Sequence, residues 1–197
     1  MQNIERRALN IHELRFVGDD TGPRKLVGYA ALFNSPSEGM PFDEVFARGA
    51  FTETIKNDDI RCLLNHDPNF VLGRTSAGTL TLKQDKRGLL MEATPPDTQW
   101  ARDLAVTVGR GDISQMSNGF IMVEQKLSFA NNRQKRSLTA VKLMDVSPVT
   151  FPVYPDTEVA LRSIDAWQKA HPEVDVPTEW LEDAKRRLRL AEAESST

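Results

Sequence analysis

Three polar side chains continue apolar rows in this sequence, and their types together could perform nucleophilic catalysis. Side chains alternate faces along a strand, so each strand can be asked which polar residue extends its apolar row. In "RCLLNHD" the row Cys62, Leu64 runs into His66; in "SLTAVKLMD" the row Val141, Leu143 runs into Asp145; in "SNGFIMV" the row from Val123 back through Ile121 and Gly119 meets Ser117. A carboxylate on a buried face is costly unless paired and hydrogen-bonded, so Asp145 needs a partner. Of the three histidines, His12 falls in an early strand and His171 in an apparent linker, which leaves His66. A histidine held by a carboxylate on one ring nitrogen and facing a serine with the other turns a weak hydroxyl into a nucleophile. Gly119, two places after Ser117, would let substrate backbone approach closely.

Each of these residues also has a plain structural reading. Asp145 before "VSPVT" could cap a turn, His66 before "DP" could be a turn histidine, and a serine before Asn-Gly is common turn chemistry, with Ser114 and Ser147 as rivals to Ser117. Other chemistries fit less well. "NHD" with one distant cysteine lacks zinc-ligand spacing, no glycine loop cradles a phosphate, and Gln115 stands where a hydrolase nucleophile elbow wants glycine. No metal and no cofactor are expected. Cys62, on the row of His66 but two rungs away, reads as core.

The elements that must position these residues read as short strands separated by turn chemistry: Ile11–Val17, Leu26–Phe33, Ile60–Leu64, Thr79–Lys83, Leu89–Ala93, Phe120–Gln125, Ser137–Asp145 and Val149–Val153, with "TSAG", "QDKRG" and "NNRQKRS" as connections. A brief helix is expected around Ala50–Lys56. A second, Thr98–Val108, follows the breaker "TPPD" and sets Trp100, Ala101, Leu104, Ala105 and Val108 on one face. The pattern predicts a mainly-β barrel or sandwich with helices outside it. "NSPSEGMP" reads as a loop. After Ser163 the texture changes: "AHPEVDVP" reads as a linker and Thr178–Glu194 as a helix with an apolar stripe of Trp180, Leu181, Ala184, Leu188 and Ala191. The expected division is a β domain over 1–163 and a linker with a helical tail over 164–197.

At 197 residues, 40% hydrophobic and 27% charged, the chain can bury one sizeable core. Residues 1–163 carry 20 basic and 20 acidic side chains and residues 164–197 carry 5 and 8, so the tail supplies the whole net charge of -3. A neutral body argues against general nucleic-acid binding. One cysteine gives no disulfide framework, and neither a signal peptide nor a membrane span is legible, so a cytoplasmic product without membrane or nucleic-acid partners is expected.

Three blocks in order, "CLLNHDPNFVLGRTSAGTLTLKQDKRGLLMEA", "ISQMSNGF" and "LMDVSPVTFPVYPDTEV", resemble the phage prohead protease family, which matures tailed-phage capsids. The likeness runs from about Leu26 to Arg162. It implies a fold similar to the herpesvirus assembly proteases, a β-barrel ringed by helices, and a serine endopeptidase that cuts scaffold or major-capsid-precursor segments, and itself, inside the assembling prohead in the bacterial host cytoplasm. By resemblance the histidine of the "NHDP" block is His66, the serine of the "S-x-G-F" block is Ser117, and the acid is Asp145, where the family commonly has glutamate. Asn118 replaces a usual aromatic residue. The oxyanion donors stay open between Arg133 or Arg136, ordered water and backbone amides. Self-association is expected. The competing class is a catalytically inactive protease-fold module that binds capsid or scaffold protein; the presence of serine, histidine and acid in all three blocks favours the enzyme.

Overall fold

The computed structural model describes residues 4–9, 13–18, 24–37, 42–130, 133–151 and 157–170, and in the tail 172, 182–183 and 185–186. His12, His171, the apolar stripe from Trp180 to Ala191 and most of the expected tail helix lie outside the described residues.

Among the described residues ten strands and three helices follow one another: β1 (Glu5–Leu9), β2 (Arg15–Val17), β3 (Lys25–Leu32), β4 (Asp43–Phe46), α1 (Thr54–Asn57), β5 (Arg61–Leu64), β6 (Asp67–Arg74), β7 (Leu80–Gln84), β8 (Gly88–Ala93), α2 (Gln99–Arg110), β9 (Gln115–Ala130), β10 (Arg133–Val149) and α3 (Thr157–Ala170). The fold is mainly β with a few short helices, as the alternating pattern predicts. Six strands form one sheet in the order β1-β9-β10-β5-β6, with β4 also paired to β10, and four form a second in the order β2-β3-β8-β7. One isolated bridge, Phe33 to Phe46, links the two. Of the expected barrel or sandwich, a closed barrel is not detected: among the described residues the strands pair as two separate sheets.

The core lies between the sheets, where Phe46 meets Phe51 at 5.0 Å and Phe120 edge-on at 5.2 Å between ring centroids, with Leu26, Leu72, Leu89, Met91 and Leu138 fully buried around them. α2 covers this core with Ala101, Leu104 and Val108. Its helix stops at Gly111, whose left-handed backbone (φ 84°) lets its N–H reach the carbonyls of Thr107 and Val108.

Several elements differ from expectation for identifiable reasons. Most of "NNRQKRS" is strand, because β9 and β10 pair as one long antiparallel ladder that runs out to Ala130 and Arg133. Ser137–Asp145 and Val149 likewise belong to a single strand, since Pro148 sits at its end where one lost donor is tolerated. α3 runs through Ser163, the position of the compositional change, and buries Ala160, Leu161 and Ile164 with Phe42 in a small second cluster against Leu127.

β1 and β4 escape sequence reading because each buries charged residues: Glu5 and Arg7 in β1, and Glu44 beside Val45 and Phe46 in β4. Glu5, Arg7, Glu44 and Arg136 are all essentially inaccessible to solvent. The Arg7 guanidinium donates to Glu44 through Nε, and through Nη2 to Glu5 Oε2 at 2.5 Å. Arg136 Nη1 reaches Glu5 Oε2 at 2.8 Å and Glu44 Oε2 at 2.7 Å, while its Nε donates to Gln125 at 2.6 Å. Burial alone would raise the carboxylate of Glu44, but the two guanidiniums more than offset it and hold its pKa down at about 2. The network fastens the N-terminal strand and β4 to the central hairpin.

Candidate active site

The site begins with a two-residue turn. β5 and β6 pair at Leu64 and Asp67, leaving Asn65 and His66 as the loop, both in the left-handed region at φ 55° and 58°. Positive φ at both central positions is the condition of a type I′ hairpin; asparagine accepts it readily, and histidine more readily than most side chains. Asn65 fixes the turn to the end of β10: its N–H donates to the Pro148 carbonyl at 3.0 Å, its Oδ1 accepts the Thr150 N–H at 2.8 Å and its Nδ2 donates to the Thr150 hydroxyl at 3.2 Å. The His66 ring is thereby carried over the neighbouring strand. His66 therefore leaves the strand alternation that the row Cys62, Leu64 suggests, and Cys62 belongs to the core, where burial and then the nearby Asp145 charge push its thiol pKa up.

Asp145 arrives by a different irregularity. Leu143 stands opposite Phe120 and Asp145 opposite Gly119, so Met144 is an extra residue in the ladder. Such a bulge turns the following side chains to the other face. Leu143 points into the core with Phe120, whereas Asp145 points to the outer face of the sheet, and Val146 returns to the core opposite Asn118 and beside Cys62. The row Val141, Leu143, Asp145 is thus broken at its last step. Ser117 does share a face with Gly119, Ile121 and Val123, but that face is the outer one, and Val123 is 58% exposed. The core face of this segment carries Met116, Asn118 and Phe120. Asn118 donates to the Ala30 carbonyl at 2.7 Å, which pins the strand behind Ser117 to the second sheet.

On the outer face the residues converge. His66 Nδ1 lies 2.5 Å from Asp145 Oδ2, with the two side chains only 5% and 11% exposed. The same carboxylate oxygen accepts the Ser147 hydroxyl at 2.7 Å. Its other oxygen, Oδ1, occupies the space that a Cβ on Gly119 would take. Gly119 is therefore the seat of the Asp145 carboxylate, not an opening for substrate backbone. Ser147 stands directly opposite Ser117 in the hairpin register. Ser117 is fully buried; its Oγ has no hydrogen-bond partner, and neither does His66 Nε2. The structure thus joins His66 to Asp145 and leaves an unpartnered hydroxyl and an unpartnered imidazole nitrogen on the same sheet, not bonded to each other. Arg133 and Arg136 pair with Ala130 and Leu127, far along the hairpin from Ser117, and the Arg136 guanidinium is occupied in the buried network. Among the described residues no three His, Cys, Asp or Glu side chains are placed to hold a metal, and no helix is long and apolar enough to cross a membrane.

The family model described as caudovirus prohead serine protease matches residues 11–170. The chain belongs to this family of prohead proteases. It is, accordingly, a protease of capsid maturation. Among solved structures it is similar to the capsid assembly protease gp21 of bacteriophage T4, with a TM-score of 0.53 and 13% identity over 76% of this chain and 98% of that one. At that identity the likeness speaks for the fold, which extends over nearly all of the solved T4 chain. No curated protein matches. The region matched by the prohead protease model ends where α3 ends, at Ala170.

Proposed function

We propose that this prohead protease is a serine endopeptidase with Ser117 as nucleophile, His66 as general base and acid, and Asp145 as the residue that orients and charges-balances the imidazole. The observation that carries the reading is the 2.5 Å contact of His66 Nδ1 with Asp145, which leaves Nε2 buried, unpartnered and free to serve the equally unpartnered Ser117 hydroxyl. In the reaction, His66 Nε2 takes the hydroxyl proton as Ser117 Oγ attacks a peptide carbonyl, then returns it to the departing amine; water hydrolyses the acyl-enzyme by the same route in reverse. The Asp145 carboxylate stabilises the imidazolium formed in between and fixes the tautomer with the proton on Nδ1. Hydrogen bonds that are open in a free enzyme commonly close only when substrate is bound, so the gap between Ser117 and His66 is compatible with this role.

The substrates under this reading are scaffold or major-capsid-precursor segments and the protease itself, inside the assembling prohead in the host cytoplasm, with chains that self-associate there. Resemblance to the herpesvirus assembly proteases fits a nucleophile on a strand rather than at a strand-to-helix elbow. The linker and tail expected over 164–197, whose first residues, 164–170, belong to α3, would dock the enzyme to the shell or to a second copy. Lys185 of that tail lies 4.0 Å from Asp165 on α3.

The test is labelling by a serine-directed fluorophosphonate, followed by peptide mapping. Label on Ser117, and loss of both label and processing in Ser117→Ala with an unchanged melting temperature, are expected, while Ser114→Ala keeps most activity. A Ser117→Ala chain that still processes capsid precursor overturns the assignment and leaves Ser147 in its place; a parent chain that neither takes the label nor processes leaves the inactive module.

A further inference from the structure

We infer that Arg6 is the oxyanion-binding residue of this protease. The inference rests on Ser117 being the nucleophile and concerns a function that Ser117, His66 and Asp145 leave unfilled. On the outer face of the sheet the ladder registers give two rows: Ala8, Ser117 and Ser147 in one, Arg6, Gly119 and Asp145 in the next. Ile4 confirms which side of β1 faces the site, for its methyl carbon Cγ2 lies 3.7 Å from where a Gly119 Cβ would be. Ile4, Arg6 and Ala8 alternate with Glu5 and Arg7, which point the opposite way into the buried ion network. Arg6 is therefore a diagonal cross-strand neighbour of Ser117, a separation of about 7–8 Å that a long side chain spans.

The chemistry assigns the flank. His66 and Asp145 approach Ser117 from the β10 side, and the leaving amine must lie there as well, because His66 hands it the proton. The carbonyl oxygen of the tetrahedral intermediate, bonded to the same carbon, then points away from His66, toward β1. On that flank Ala8 has no side-chain donor and Arg6 has a guanidinium. Its Nε is buried without a hydrogen-bond partner, a state it shares with only six other side-chain atoms among the described residues, two of them His66 Nε2 and Ser117 Oγ. A buried donor left open beside an open nucleophile and an open base is what a site prepared for a developing negative charge requires. As Ser117 Oγ bonds to the carbonyl carbon, the π electron pair moves onto oxygen and the guanidinium donates to it; when the C–N bond breaks, the pair returns and the donor is released. No proton leaves the arginine.

The experiment uses the full chain and a peptide substrate, with Arg6→Gln and Arg6→Lys beside the parent. Removing an oxyanion donor lowers kcat by roughly 10²–10³-fold. Arg6→Gln is expected to show that loss, Arg6→Lys a smaller one, and both should bind the uncleaved peptide with the parent's Kd when combined with Ser117→Ala. Inhibition by a peptidyl boronate, whose adduct carries the tetrahedral oxygen, should weaken in step with kcat. Arg6→Gln turnover within about three-fold of the parent overturns the inference. So does a loss confined to KM and Kd, which would make Arg6 a ground-state contact for the peptide. A parent enzyme labelled by phosphonate elsewhere than Ser117 fails at the underlying site, and is distinguished by that label from a failure of Arg6 alone.

Discussion

Asp145 is held at three points: His66 and Ser147 share its Oδ2, and its Oδ1 rests on the bare α-carbon of Gly119. Gly119→Ala would put a methyl group where that oxygen lies. The carboxylate can swing aside, so the fold should survive with a small change in melting temperature while kcat falls on the order of 10²-fold, comparable to Asp145→Asn. Wild-type turnover by folded Gly119→Ala would remove Asp145 from the catalytic set. Ser147→Ala deletes a hydrogen bond to an ionised group, worth about 1.5–3 kcal/mol where the charge matters, and should cost roughly ten-fold in kcat without eliminating phosphonate labelling of Ser117. The residue types were legible in the sequence because few polar side chains touch apolar stretches. Their geometry was not: a left-handed turn delivers His66 and a bulge at Met144 delivers Asp145, and neither irregularity leaves a mark in alternation. Arg6, one charge among several at a chain terminus, carries no signal until the register sets it beside Gly119.

At the scale of elements, what holds β1 and β4 to the hairpin is charge, and the sequence conceals it because "ERRAL" and "DEVF" read as surface. β3, β7 and β8 were legible from their apolar, turn-bounded runs, as was α2 from its breaker and one-sided apolar face, although its end at Arg110 and its stop at Gly111 were not. β6 was missed because Pro68 and Asn69 imitate a loop. Glu44→Gln leaves two buried guanidiniums facing fewer carboxylates, and the loss is expected to reach about 3–5 kcal/mol, read as a lowered denaturant midpoint. The acid dependence follows the same network. The pKa of Glu44 falls from its ordinary 4.5 to about 2 on folding, and that of Glu5 is also lowered. A lowered folded pKa contributes stability that is complete above the unfolded value and is lost as pH falls from about 4.5 toward about 2. Urea midpoints measured from neutral pH downward should hold steady and then drop in that window; in Glu44→Gln the drop should be shallower.

For the whole molecule, α3 carries Ile164 into the cluster with Phe42, one residue beyond the compositional change after Ser163. A chain ending at Ala170 is expected to remain soluble and to cleave peptides in solution while entering particles poorly. A chain ending at Ser163, stripped of Ile164, should melt several degrees lower. Equal melting temperatures for the two would make α3 dispensable to the body. The parts of the site and of the buried network are also far apart along the chain: His66 meets Asp145 across 79 positions, and Arg136 meets Glu5 across 131. Contacts so distant form late, since long loops must close before they are rewarded. On a ribosome, Arg6, His66 and Ser117 all emerge before the strand that carries Asp145, and β1 cannot be locked in place until Arg136 follows it out. A half-made chain consequently has no working blade. Synthesis order alone would therefore hold back peptide cleavage until β10 has emerged and paired with β9 and β5.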